Sequence, residues 1–246
     1  MTTRPCYQVD MTTTSDAPPS NVLVIGASRG LGLAIVEQYL ERGRQVVGTV
    51  RGAEPTKLHA LRDRAPGRLE IEAVDINLPG EIAALRNRLA GRVLDLRLIN
   101  AGVKNDDRET IADVSTEEFV RVMVTNALSP LRAVEILGDL VSAHGTIAIM
   151  SSGQGSVANN EHGGYEVYRA SKAALNTLAR SYAARHAGDA RTLLLLAPGW
   201  VRTDMGGPQA RLSVDESIPS LVETIEAQRG RPGLQYLDYR GRTVPW

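Results

Sequence analysis

Tyr168 and Lys172 stand four residues apart, a spacing that places both side chains on one face of a helix, about one turn from each other. A phenol with a pKa near 10 is a poor acid–base group at neutral pH, and an adjacent ammonium stabilises its ionised form. The 28 basic residues include only three lysines, Lys57, Lys104 and Lys172, and the rest are arginines. A lysine kept against that bias offers what arginine lacks, a compact charge and a pKa that burial can move. Ser151 and Ser152 close the preceding apolar run, where a hydroxyl can donate to a developing alkoxide. Serine, tyrosine and lysine in this order point to proton transfer at an oxygen atom.

A second group of residues suits a phosphate. Gly26-Ala27-Ser28-Arg29-Gly30-Leu31-Gly32 follows the apolar run Asn21–Ile25 and opens a helical pattern. Glycines there let the backbone turn sharply and approach a pyrophosphate held by free helix N–H groups. The same stretch also spells G-x-S-x-G, the nucleophile elbow of serine hydrolases, with Ser28 as nucleophile. Position disfavours that alternative. No strand precedes this one, and the last histidine, His186, falls near the end of a predicted helix rather than on a late loop. The second strand, Gln45–Val50, ends without the carboxylate that would hold the ribose hydroxyls of NAD; Val50 occupies that place and Arg51 follows. Arg29 and Arg51 suit a 2′-phosphate, so NADP(H) is favoured over NAD(H).

The elements that must position these groups alternate along the chain. Apolar runs predict strands over 21–25, 45–50, 69–74, 93–99, 146–150 and 191–196, with a last one near Leu234. Helical spacing predicts helices over 31–42, 54–64, 81–89, 116–141, 164–185 and 213–228. Ser115 is the expected cap of the long helix and Pro130 its expected kink. The pattern is that of an α/β fold, a single doubly wound parallel sheet of about seven strands with helices on both faces. Such sheets bind ligands at the carboxyl ends of their strands, where every residue named above falls.

Composition narrows the function. Of the 246 residues, 43% are hydrophobic and 23% charged, which excludes wholesale disorder. The 28 basic residues balance 28 acidic ones, leaving no electrostatic footprint for nucleic acid or an anionic membrane. Cys6 is the single cysteine, so an internal disulfide and a cysteine zinc cage are excluded, and no metal is expected. The longest apolar run, Leu193–Ala197, is far too short to span a bilayer. Residues 1–20 are rich in Thr, Ser, Asp and Pro and predict a flexible leader, with Met11 an alternative start; residues 21–246 read as one domain. The expected compartment is the cytoplasm.

Taken in order, the glycine loop, Asn100-Ala101-Gly102, Ser152 with Gly155, the Tyr168/Lys172 pair and Pro198-Gly199 resemble the short-chain dehydrogenases/reductases, over Asn21 to the last residue. The runs Tyr168–Asn176, Pro198–Met205 and Gly241–Trp246 are similar to the branch holding carbonyl reductases and C-factor-like proteins. The resemblance implies reduction of a small-molecule ketone or aldehyde to an alcohol, with Tyr168 as general acid and Lys172 lowering its pKa and binding the nicotinamide ribose. It implies Ser152 as the group that polarises the carbonyl, Ser151 being the register alternative, and Asn126 as a member of the proton relay. Gly26, Ser28, Arg29, Gly30, Leu31 and Gly32 would cradle the dinucleotide, with Arg51, Asp75 and Ile76 on the adenosine side. Asn100, Ala101 and Gly102 would line it, and Pro198, Gly199, Val201 and Thr203 would lie near the nicotinamide. Ile25 stands where many members carry threonine, which removes one stabilising side chain. The C-factor likeness also implies an alternative, a cofactor-binding signalling or regulatory protein. Alanines at 170, 173, 174, 179, 183 and 184 allow close helix packing, and the family resemblance implies a homo-oligomer, dimer or tetramer. Substrate choice is expected in Ser156–Val167 and Asp204–Glu216, with Trp200 and Met205 as candidate pocket residues.

Overall fold

A computed structural model describes residues 21–246. The expected leader, with Cys6 and Met11, lies outside the described residues. Seven strands form one parallel sheet: β1 (Asn21–Ile25), β2 (Gln45–Val50), β3 (Leu69–Ala73), β4 (Leu94–Ile99), β5 (Val141–Met150), β6 (Thr192–Ala197) and β7 (Gly233–Asp238). Their order is β3-β2-β1-β4-β5-β6-β7, so the chain reverses direction across the sheet between β1 and β4. That switch point opens a crevice beyond the strand ends, the usual ligand site of such sheets. Every residue of β6 is buried, which explains its unbroken apolar run in place of alternation.

The helices are α1 (Gly30–Glu41), α2 (Lys57–Arg64), α3 (Pro79–Arg88), α4 (Thr116–Met123), α5 (Ser129–Ile136), α6 (Glu166–Arg185) and α7 (Val214–Ala227). Ile35, Leu58 and Leu221, from α1, α2 and α7, join one apolar cluster; Ile82, Leu131 and Leu175, from α3, α5 and α6, join the other. The sheet lies between the two. No helix among the described residues is long and apolar enough to cross a membrane.

Three expected helix boundaries differ: that at 54 moves to Lys57, behind its cap Thr56, and two others bear on the site. The single helix over 116–141 is divided: a π-helical segment at Val124–Leu128 separates α4 from α5, α5 stops at Ile136, and Val141 already belongs to β5. Ser115 does cap α4, accepting from the Glu118 N–H at 3.1 Å. The irregularity precedes Pro130 because proline brings no N–H for the carbonyl four residues back, that of Asn126. The helix expected from Gly164 starts at Glu166, since Gly163, Gly164 and Tyr165 all have left-handed φ (67°, 72° and 54°). Three such residues in succession end any right-handed helix.

One core position was not foreseen. Arg97, at the centre of β4, is fully buried and donates to the carbonyls of Ala133 and Val134 in the last turn of α5, the Val134 contact at 3.2 Å. The negative end of the α5 dipole is its electrostatic partner.

Candidate active site

The glycine loop is built by close approach. Gly26 has φ +86°, and a Cβ there would lie 2.8 Å from the Ala101 nitrogen. A Cβ on Gly32 would lie 2.1 Å from the Gly26 carbonyl oxygen, a backbone atom that cannot yield. Asn100 Nδ2 donates to that same carbonyl at 2.8 Å, and the N–H groups of Asn100 and Ala101 both bond Ile25. The loops after β1 and β4 are therefore locked together at the switch point. Thr49 of β2 accepts from the Gly26 N–H at 3.0 Å, so a neighbouring strand supplies a hydroxyl although Ile25 brings none. Among the described residues no side chain caps α1, and its first turn holds no acid, which leaves first-turn N–H groups to an anion. These features fit a dinucleotide pyrophosphate at Gly26–Gly32, with Ser28 and Leu31 half-buried beside it.

On the adenosine side the observed surface differs from the expected one in detail. Val50 is buried in the core, so the exposed group at the end of β2 is Arg51. Arg51 borders a cavity of about 480 Å³ with Asp75, Glu81 and Arg88. Ile76 is buried among core side chains, so Asp75 is the member of that pair that meets the cavity. The Asp75 carboxylate also accepts from the Asn77 N–H at 2.9 Å, which shapes the turn. Arg29 is not a free cation: it pairs with Asp204 at 3.0 Å, both side chains being largely exposed. Asp204 belongs to the loop after β6, and Thr203 of that loop also overhangs Gly30. Gly199 (φ +84°) turns this loop, the Pro198 carbonyl accepts from Ser217 Oγ at 2.7 Å, and Val201 is buried.

The catalytic candidates meet at the ends of β5 and β4. Strand β5 stops at Met150, and the two serines beyond it diverge. Ser151 is buried and donates to Asn176 Oδ1 at 2.7 Å. Ser152 instead sets its hydroxyl beside the Tyr168 phenol. The structure thus brings Ser152, rather than Ser151, to Tyr168. Gly155 lets this turn pack on α6, because a Cβ there would come within 2.9 Å of Lys172 Cβ. Asn126, in the π-helical segment, is fully buried. Its Oδ1 accepts from the Val103 N–H at 2.8 Å, and its Nδ2 donates to the Val103 carbonyl and to Ser171 Oγ. A Cβ on Gly102 would lie 3.3 Å from Asn126 Oδ1 and 3.7 Å from Lys172 Nζ, so glycine leaves room between them.

Electrostatics in the site follow burial. The Tyr168 phenol is pushed up to about 12 by desolvation, with the Ser152 hydroxyl pulling in the opposite direction. Lys172 Nζ donates to the Met150 carbonyl at 2.9 Å and lies 5.8 Å from the Tyr168 ring centre. Desolvation brings Lys172 down to about 8. The expected lowering of Tyr168 by Lys172 is therefore not the dominant influence here, since the amine is aimed at a backbone carbonyl and burial opposes charge on both groups. In the folded chain Lys172 gives up its proton near pH 8, whereas an unfolded lysine holds it to about 10.4, so stability rises with pH across that window. Holding the charged amine in this site costs about 3 kcal/mol below pH 8. Lys172→Met is expected to match or exceed wild type in urea unfolding at pH 7.5 and to lose the rise in stability toward pH 10. Equal slopes against pH in both proteins would refute this account.

Nothing comparable surrounds Ser28. His186 bonds the Tyr182 carbonyl, His59 caps α2 at Thr56, and no histidine hydrogen-bonds Ser28 among the described residues. Nothing in the sequence marked the roles of Thr49, Asn176 and Tyr236, nor the pairing of Asp204 with Arg29, because their partners are all distant in the chain.

A doubly wound parallel sheet with a glycine cradle at its switch point, and a tyrosine, lysine and serine beside it, defines a nucleotide-dependent oxidoreductase. The short chain dehydrogenase family model matches residues 20–211, and the chain belongs to the short-chain dehydrogenases/reductases. Among solved structures it is similar to a Burkholderia multivorans member of this family with bound NADP (57% identity, TM-score 0.92, covering 93% of this chain and 100% of that one). It is also similar to a carbonyl reductase of Pseudomonas aeruginosa PAO1 in complex with NADP (38% identity, TM-score 0.87, 93% and 100% covered). Among curated proteins it is 36% identical to C-signal of Myxococcus xanthus over 155 residues, 62% of this chain and 93% of that protein.

Proposed function

We propose that this chain is an NADPH-dependent reductase of ketones or aldehydes. The observation that carries the reading is the gathering of Tyr168 and Lys172 on one face of α6, with Lys172 Nζ 5.8 Å from the Tyr168 ring centre, beside Ser152 at the end of β5. Bound NADPH supplies the hydride to the carbonyl carbon. Ser152 donates a hydrogen bond to the carbonyl oxygen, where negative charge develops. Tyr168 delivers its proton to that oxygen, completing the alcohol. Lys172 steadies the phenolate left behind. Asn126, across the gap that Gly102 leaves open, serves with Lys172 and a water molecule to restore the proton. The two NADP-bound relatives support the choice of nucleotide. The likeness to C-signal favours no separate signalling reading, because this chain carries the full set of reductase side chains.

Consumption of NADPH against a panel of ketones and aldehydes tests the reading, and no turnover of any panel member would overturn it. Arg51, exposed at the end of β2, is assigned to the 2′-phosphate. A charge-assisted hydrogen bond is worth roughly 1.5–3 kcal/mol, so Arg51→Ala should raise the KM for NADPH roughly 10- to 100-fold. The KM for NADH should change little; equal effects on both would remove Arg51 from this role. The homo-oligomer implied by the family resemblance is assigned to the outer face of α6, where Ala170 and Leu178 are exposed, and light scattering in solution decides it.

A further inference from the structure

The closing run Gly241–Trp246 takes no part in the chemistry above, yet it is built into the site. After β7 the chain turns at Asp238–Arg242, where the Asp238 N–H bonds the Arg242 carbonyl at 2.8 Å, and then runs back antiparallel to β7. The Val244 N–H bonds the Tyr236 carbonyl at 2.9 Å. This return places the Trp246 ring against Tyr236, with ring centres 5.3 Å apart. Arg180 of α6 lies over the indole at 4.6 Å. The Trp246 main-chain oxygen accepts from the Ala158 N–H at 3.0 Å, in the segment expected to choose substrate. Tyr236 itself is only 2% exposed, and its hydroxyl donates to the main-chain oxygen of Ser152. A buried phenol on the last strand thus holds the backbone of the residue whose hydroxyl faces Tyr168.

We propose that Tyr236 is a positioning residue for Ser152, and that Thr243–Trp246 holds Tyr236 and the Ser156–Val167 segment in register for it. The proposal rests on the reductase reading for its kinetic consequences. Ser152 has an extended backbone (φ −162°), its Oγ accepts from the Gln154 N–H at 3.1 Å, and its carbonyl accepts from the Gly155 N–H at 2.9 Å as well as from Tyr236. The Gly155 bond lies within the same short turn and moves with it, so without the Tyr236 hydroxyl the turn can shift and carry the Ser152 hydroxyl off the carbonyl oxygen of substrate. The neighbouring network, Ser151 to Asn176 and Asn176 Nδ2 to the Gly155 carbonyl at 3.1 Å, fixes the turn on α6, and the Tyr236 hydroxyl lies beside Ser151 and Asn176 as well, so it ties this turn to the last strand.

Tyr236→Phe in the full chain keeps the ring against Trp246 and removes only the hydroxyl. The expected result is unchanged NADPH binding, a kcat reduced roughly 10- to 100-fold, as a small misplacement of a catalytic group produces, and a much smaller change in substrate KM. In Trp246→Ala, which keeps the Tyr236 hydroxyl and its own raising effect on Tyr168, the alkaline limb of the reduction pH profile should move upward, because a loosened Ser152 pulls less on Tyr168. Amide hydrogen exchange over Ser151–Ser156 should quicken. In a Ser152→Ala background Tyr236→Phe should add little, since it acts through Ser152. Trp246→Ala should shift the same readouts in the same direction, with Trp246→Phe restoring them, and it carries the test if Tyr236→Phe does not fold. Wild-type kcat, pH profile and segment exchange in these variants would overturn the proposal, as would an undiminished effect of Tyr236→Phe without the Ser152 hydroxyl. If the wild type reduces no carbonyl, the reductase reading fails by itself, and the exchange measurement, which needs no substrate, still decides whether Tyr236 holds Ser152.

Discussion

Tyr168→Phe is expected to bind NADPH as the wild type does and to lose carbonyl reduction by roughly 100- to 10,000-fold, the usual contribution of a positioned general acid. Phenylalanine keeps the ring and its packing on α6, so cofactor contacts at the glycine loop are untouched. Only the proton donor disappears. The Ser152 hydroxyl remains to polarise the carbonyl, which is why a residual rate is expected. Cofactor fluorescence titration measures the first half of this expectation and steady-state NADPH consumption the second. Turnover equal to wild type would remove Tyr168 from the chemistry. Loss of binding together with turnover would show that the substitution had disturbed the cleft instead.

The largest stability effect is expected at Arg97, far from the chemistry. Its guanidinium is buried against two carbonyls with no carboxylate as hydrogen-bond partner among the described residues, and desolvation lowers its pKa to about 10. Arg97→Ala would delete a long side chain from a packed core and leave a cavity, a loss of about 2–5 kcal/mol by analogy with other large-to-small changes. Arg97→Met fills most of the same volume and removes the cost of burying the charge, so its stability should equal or exceed that of the wild type. Urea unfolding of both variants separates the two contributions. A methionine variant as unstable as the alanine one would mean that the charge itself, acting on the end of α5, holds the helix in place.

Much of the site was legible because its signals are local. The Tyr168–Lys172 spacing within one helix, the glycines of a strand-to-helix turn, and apolar runs bounded by glycine each depend on neighbours a few residues away. The seven strands and the capping serine before α4 followed from the same short-range patterns. Where two elements meet, the signals faded. The long helix over 116–141 looked continuous because its apolar residues keep helical spacing through Val124–Leu128. The π-helical segment that turns Asn126 inward shows only once Val103 and Ser171 are there to receive its amide. The two serines after β5 are chemically alike, and it was Asn176, on a helix formed later in the chain, that drew Ser151 into the core and left Ser152 at Tyr168.

The sequence alone determined the class of chemistry: which side chains can move a proton, which turn can take a phosphate, and which alternation of elements brings both to one edge. The tertiary structure decided which serine lies beside Tyr168, that Arg29 pairs with Asp204, and that Tyr236, 84 residues beyond Ser152, bonds its carbonyl. The difference is one of distance along the chain. A helix or turn sets the separation of near neighbours through backbone geometry, whereas groups on different strands meet only where the sheet register and the packed core bring them together.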